Sequence, residues 1–117
     1  MKSTSHSIGI VVCNWSVVSN GPLSEDAVRA IHLPINRHRV SKARFPPGAS
    51  FPVSTREGTV YVLQGTCRYG RNGMEVEIVA GEFARLSEGT YNVQVLGSED
   101  LVIVRAWELP FEVPGEG

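Results

Sequence analysis

The stretch Thr59-Val60-Tyr61-Val62-Leu63-Gln64-Gly65-Thr66-Cys67-Arg68-Tyr69-Gly70-Arg71-Asn72-Gly73-Met74-Glu75-Val76-Glu77-Ile78-Val79 decides how this chain folds. Its first five residues are β-branched or bulky and read as a strand that stops at Gln64-Gly65. Thr66 to Tyr69 and Glu75 to Val79 then flank Gly70-Arg71-Asn72-Gly73, and Asn-Gly between two such runs marks a hairpin tip. Three strands and their turns within twenty-one residues leave no room for helices here.

The same rhythm continues on both sides. Phe83 to Leu86 follows Gly81, Ser87-Glu88-Gly89 turns into Tyr91 to Leu96, and Gly97-Ser98-Glu99-Asp100 turns into Leu101 to Trp107. Toward the N-terminus, Arg37 to Phe45 reads as a polar strand ending at Pro46-Pro47-Gly48. Ile8 to Val18 reads as a strand buried on both faces and stopped by Ser19-Asn20-Gly21-Pro22. The one helical signal is Ser24 to Ile31, where Ser24 can cap and Glu25 and Asp26 suit the positive end of the dipole. Seven or eight short strands in one chain predict an all-β single domain of two packed antiparallel sheets. Residues 1–7 and 110–117 read as flexible ends around a folded unit at 8–109.

Composition narrows the function. The 117 residues carry 11 basic and 12 acidic side chains, a formal charge of -1, which excludes the basic surface of a nucleic-acid module. Hydrophobic residues make up 42%, enough for a packed core, but no apolar run approaches the length of a membrane span. Cys13 and Cys67 lie far apart with no CxxC pairing, and both read as buried thiols of a cytoplasmic protein. Val60-Tyr61-Val62-Leu63 and Leu101-Val102-Ile103-Val104 are apolar at both parities, so each strand needs cover on both faces. An N-terminal strand or a second copy can supply that layer, and a homodimer is the expectation.

Pro47-Gly48-Ala49-Ser50-Phe51-Pro52, then Tyr61-Val62-Leu63-Gln64-Gly65, then Gly81 to Asn92 with its Gly89, together resemble the two motifs of the cupin superfamily. The resemblance covers roughly Arg37 to Trp107. It implies a double-stranded β-helix, or jelly-roll barrel, with a ligand pocket in its mouth. In that family two His and a Glu from the first motif, and a His from the second, converge on one metal ion. Anchored on Gly48, the two His positions here become Ser54 and Arg56, and the Glu position becomes Val60 or Tyr61. Anchored on Gly65, they become Ser54 with Pro52, or Val53 with Phe51, and the Glu position becomes Gly58. In the second motif Asn92 takes the His position and Leu96 that of the terminal Asn. Neither register supplies an imidazole, thiolate or carboxylate, so the expectation is a metal-free site with no cofactor.

Without a metal, the pocket would bind by its own side chains. Strand parity, with Asn92 turned inward, predicts a lining of Ser54, Arg56, Val60, Val62, Asn92, Gln94 and Trp107, with Tyr69 a further candidate. Arg56 offers a planar fork suited to a carboxylate or phosphate, with Ser54 and Asn92 assisting. The bland alternative for Arg56 is a solvated loop side chain beside Glu57. His32 and His38 read as solvated or core-packed, and Arg44 and Arg105 as strand residues that snorkel or meet a partner. Two functions follow. The first is binding of a small anionic or polar molecule. The second is a cofactor-free isomerase, cyclase, epimerase or lyase, for which no catalytic residue is assigned. No phosphate-binding loop, nucleophile elbow or dinucleotide fingerprint is present.

Overall fold

The chain winds about the Asn72-Gly73 turn. The computed structural model describes residues 10–32 and 38–108, so the expectations for 1–7 and 110–117 fall outside the described residues. Asn72 and Gly73 both adopt positive φ, 53° and 81°, the left-handed pair required by a type I′ hairpin. That two-residue loop joins β5 (Thr66–Arg71) to β6 (Met74–Val79). The hairpin therefore runs closer to the turn than its sequence suggested, with Arg71 paired to Met74.

Further pairs nest outside this one, all antiparallel. β4 (Gly58–Gln64) pairs with β7 (Glu82–Leu86), β3 (Ser50–Thr55) with β8 (Gly89–Leu96), and β2 (His38–Phe45) with β9 (Leu101–Glu108). Successive pairs enter opposite sheets. The short β1 (Val12–Asn14) completes a five-stranded sheet, β1-β7-β4-β9-β2, which faces the four-stranded β3-β8-β5-β6. A hairpin wound in this alternating way is a jelly roll.

The two sheets meet across a packed interior. Val60, Val62, Cys67, Tyr69, Ile78, Tyr91, Val93 and Ile103 are each no more than 1% exposed there. Burying side chains of this size contributes about 1.5–3 kcal/mol apiece. A second cluster covers the outer face of the five-stranded sheet, where Tyr61, Val104 and Ala106 pack against Trp15 and Val28. Val28 belongs to α1 (Glu25–His32), whose Ala27 N–H donates to Ser24 Oγ at 3.1 Å, the cap read from the sequence.

Two expectations need correction. Among the described residues of the predicted strand from Ile8 to Val18, only Val12–Asn14 are extended, after which Trp15–Val17 form a 3-10 turn. Asn14 causes the change, since its side chain accepts the Ser16 N–H at 3.0 Å and caps the turn. This swings Trp15 onto Tyr61, so the second layer is a capped turn and a helix rather than a strand. Cover on those two doubly apolar strands thus comes from the chain itself and does not require a second copy. The other is β3, a strand in a stretch to which the sequence reading assigns no element. Pro52 lies in its middle, and proline is tolerated because β3 is an edge strand paired only with β8.

Candidate functional site

At the end of the barrel where β3 crosses to β4, a cleft of about 290 Å³ is lined by Ser54, Thr55, Arg56, Arg105 and Trp107. Strand register builds it. Arg105 pairs with Val60 on one side and Ser41 on the other, and Trp107 pairs with Gly58 and Arg39. Partners across an antiparallel ladder share a face, and Val60 faces the interior, so Arg105 and Trp107 point inward at the mouth. Thr55 joins them from β3, on the parity of Phe51 and Val53, which pack against the core.

Gly58 makes room for this arrangement. A Cβ there would lie 2.3 Å from the Ala106 carbonyl oxygen and 2.7 Å from the Trp107 Cα, so β4 approaches β9 as closely as only glycine permits.

Arg105 is the unusual member. It is half-buried, and its Nε is buried with no hydrogen-bond partner. Several other arginines are paired: Arg44 with Asp100 at 2.9 Å, Arg85 with Glu57 at 3.2 Å, and Arg68 with Glu77 at 3.3 Å. An unpartnered buried donor carries a desolvation penalty of about 1–3 kcal/mol, which an arriving acceptor would relieve. The charge of Arg105 also reaches the interior. Burial raises the Tyr69 phenol above its ordinary value and the neighbouring Cys67 adds to the rise, while Arg105 works against it. Arg56 stands at the rim, 54% exposed, with Glu88 at 3.9 Å rather than Glu57.

Three of the seven predicted lining residues, Ser54, Arg56 and Trp107, come together in this cleft. Ser54 sits at its outer edge, hydrogen-bonded to Thr90 Oγ1 at 3.0 Å. Val60 and Val62 do face inward as expected, but both are 0% exposed and reach no cleft. Asn92 and Gln94 are misplaced by the sequence reading. On β8 it is Tyr91, Val93 and Val95 that are buried, so Asn92 and Gln94 face outward. There they line a groove of about 370 Å³ with Ser50, Phe51, Pro52 and Glu75. The interior of so small a barrel takes the apolar parity, which overrides an inward asparagine inferred by alignment. Sequence reasoning missed Thr55 and passed over Arg105, whose one legible signal was a charge inside the apolar run Leu101 to Trp107.

The jelly-roll barrel implied a cation held by inward-facing side chains. Those facing inward near the mouth include Val53, Thr55, Val60, Tyr91, Arg105 and Trp107, and a guanidinium among apolar, aromatic and hydroxyl neighbours does not fit a divalent first-row ion. Among the described residues no three His, Cys, Asp or Glu side chains converge.

A second polar cluster lies on the outer face of the five-stranded sheet. His32 Nδ1 is 2.9 Å from His38 Nδ1, and His32 Nε2 is 2.7 Å from Tyr61 Oη. Burial, then the positive fields of His38 and Arg85, hold the His32 imidazole below its ordinary value; burial raises the Tyr61 phenol. The meeting of His32 and His38 is not legible from their positions along the chain.

Neither a protein-family model nor a curated protein sequence matches the chain. Solved structures do. The cupin domain of an XRE family transcriptional regulator from Enterobacter cloacae is similar over 87% of this chain and 98% of its own, with TM-score 0.58 and 14% identity. A predicted oxalate decarboxylase from Thermotoga maritima is similar over 86% and 80%, with TM-score 0.54 and 22% identity. A cupin protein from Bacteroides fragilis is similar over 72% and 75%, with TM-score 0.54 and 19% identity. Likeness at such low identity speaks for architecture, and it agrees with the nested strand pairs, the two facing sheets and the inward mouth: this protein has the cupin fold.

Proposed function

We propose that the protein binds a small organic anion at the barrel mouth, without a metal. Its carboxylate would be held by Arg105 and Arg56, and its apolar part would lie on Trp107. The observation that carries this reading is the buried, unpartnered Nε of Arg105, which lies in a cleft shared with a second guanidinium and an indole. A guanidinium fork matches a carboxylate in two parallel hydrogen bonds. Thr55 and Ser54 add hydroxyls that can donate to a second oxygen.

Binding is favoured over catalysis by the same lining. Proton-transfer chemistry needs a group titrating near neutrality within hydrogen-bond reach of the substrate. The residues lining the cleft are Ser, Thr, Arg and Trp, and Glu88 stands outside it, engaged with Arg56. Both cysteines are free thiols, which supports a reducing, cytoplasmic setting. Among the described residues no helix is long and apolar enough to cross a membrane.

A thermal-shift screen of aromatic and aliphatic carboxylates against the full chain tests the proposal, with hits measured by calorimetry. Carboxylates should raise the melting temperature by mass action, while their uncharged amides should not. Equal shifts from acid and amide, or a carboxylate shift retained in Arg105→Met, would remove the basis for this site.

A further inference from the structure

The His32–His38 pair lies outside the mouth and has no part in anion binding. Its geometry points to a second site: we propose that His32 and His38 chelate a first-row divalent cation through their two Nδ1 atoms. At 2.9 Å those nitrogens are as close as two ligands of one ion. Ions of this class take imidazole nitrogen at about 2.0–2.1 Å, which puts two ligands roughly 2.9–3.4 Å apart for ordinary bond angles. Without an ion, the same distance requires one proton between the rings. A cation would displace that proton and sit beside the line joining the two nitrogens, using both lone pairs.

The surroundings prepare His32 for this role. Its Nε2 lies 2.7 Å from Tyr61 Oη, and when Nε2–H is donated there, Nδ1 is left as the bare lone pair. Tyr61 is itself fixed: it is 5% exposed, stacked on Phe83 at 5.4 Å and met edge-on by Trp15 at 5.8 Å. His32 is also the last residue of α1, where the negative end of the helix dipole favours positive charge. Arg85 lines the same crevice and opposes a cation, but its guanidinium is engaged by Glu57 at 3.2 Å. The crevice measures only about 10 Å³, room for an ion and not for an organic substrate. Imidazole donors suit Cu(II), Ni(II) and Zn(II), with Cu(II) highest in the affinity order. Water completes the coordination. Since His32 ends α1 and His38 begins β2, the ion would tie the helix to the edge of the five-stranded sheet.

Calorimetric titration of the full chain with Ni(II), paired with electron paramagnetic resonance of the Cu(II) form, tests this. One ion per chain should bind, and the Cu(II) spectrum should show hyperfine structure from two nitrogens. His32→Gln and His38→Gln should each weaken Ni(II) at least about tenfold. Tyr61→Phe, which removes only the orienting hydroxyl, should weaken it by about tenfold and keep the two-nitrogen pattern. Asn92→Ala, on the facing sheet, should bind as the parent does. The spectrum of the parent protein needs no variant, so a variant that fails to fold cannot hide the answer. No Ni(II) binding at millimolar concentration, a Cu(II) spectrum with fewer than two imidazole nitrogens, or unchanged affinity in both folded histidine variants would show a shared proton only.

Discussion

Replacing Arg105 by methionine should move stability and anion affinity in opposite directions. The arginine Nε is buried without a partner, a state that costs about 1–3 kcal/mol. Methionine fills much the same space along the strand and asks for no hydrogen bonds. After some loss of stem packing, a net gain of about 1 kcal/mol is expected. In a domain of this size that corresponds to about 4 °C in melting temperature. Anion affinity should fall. A hydrogen bond to a charged group contributes about 1.5–3 kcal/mol, so removing the guanidinium should weaken a carboxylate roughly tenfold to a hundredfold. Urea denaturation of both proteins measures the first quantity, and calorimetry with the best carboxylate from the thermal screen measures the second. If Arg105→Met were less stable than the parent by 1 kcal/mol or more, the arginine would be a structural brace. If the variant were more stable but bound as before, the anion would sit elsewhere.

Other consequences follow from single positions. Asn92→Ala and Gln94→Ala should leave carboxylate affinity unchanged, since both side chains face away from the mouth; loss of binding in calorimetry would restore them to the site. Gly58→Ala should cost about 2–3 kcal/mol by forcing β4 from β9, whereas Gly73→Ala, with open space at its Cβ but φ at 81°, should cost about 1 kcal/mol. Equal urea midpoints for the two would refute the close-approach argument. Burial pushes the Cys67 thiol up to about 12, so a thiol reagent at pH 8 should label half-buried Cys13 first and Cys67 only on unfolding. A fast phase that persists in Cys13→Ser would contradict this. Because the folded His32 sits below its ordinary value of 6.5, protonation favours the unfolded chain. Its contribution to stability is complete above pH 6.5 and is lost as pH falls below it, so His32→Gln should flatten melting temperature between pH 7 and 5.

Much of the fold was legible because its signals are local. Asn72-Gly73 needs only its own backbone to specify a tight hairpin, and Ser24 needs only the next three residues to cap α1. Strand parity likewise put Val60 and Val62 on one face and Tyr61 on the other. What stayed hidden was non-local. That Pro52 sits in a strand follows only from the place of β3 at a sheet edge, where a missing N–H is tolerated.

The candidate site divides along the same line. Sequence alone, through the resemblance, laid the cation positions on Ser54, Arg56 and Val60 or Tyr61 from one anchor, on Ser54 with Pro52 or Val53 with Phe51 and on Gly58 from the other, and on Asn92, and it offered Arg56 as a candidate at the mouth. Tertiary structure decided which parity of β8 faces in, and it chose Tyr91, Val93 and Val95 because an interior this small admits only apolar bulk. It also decided that Arg105 is enclosed without an acid beside it, and that His32 and His38 meet over Tyr61. Spacing along a chain fixes what one strand or one turn can do. Contacts between distant elements depend on register and burial, and those exist only once the sheets have closed on each other.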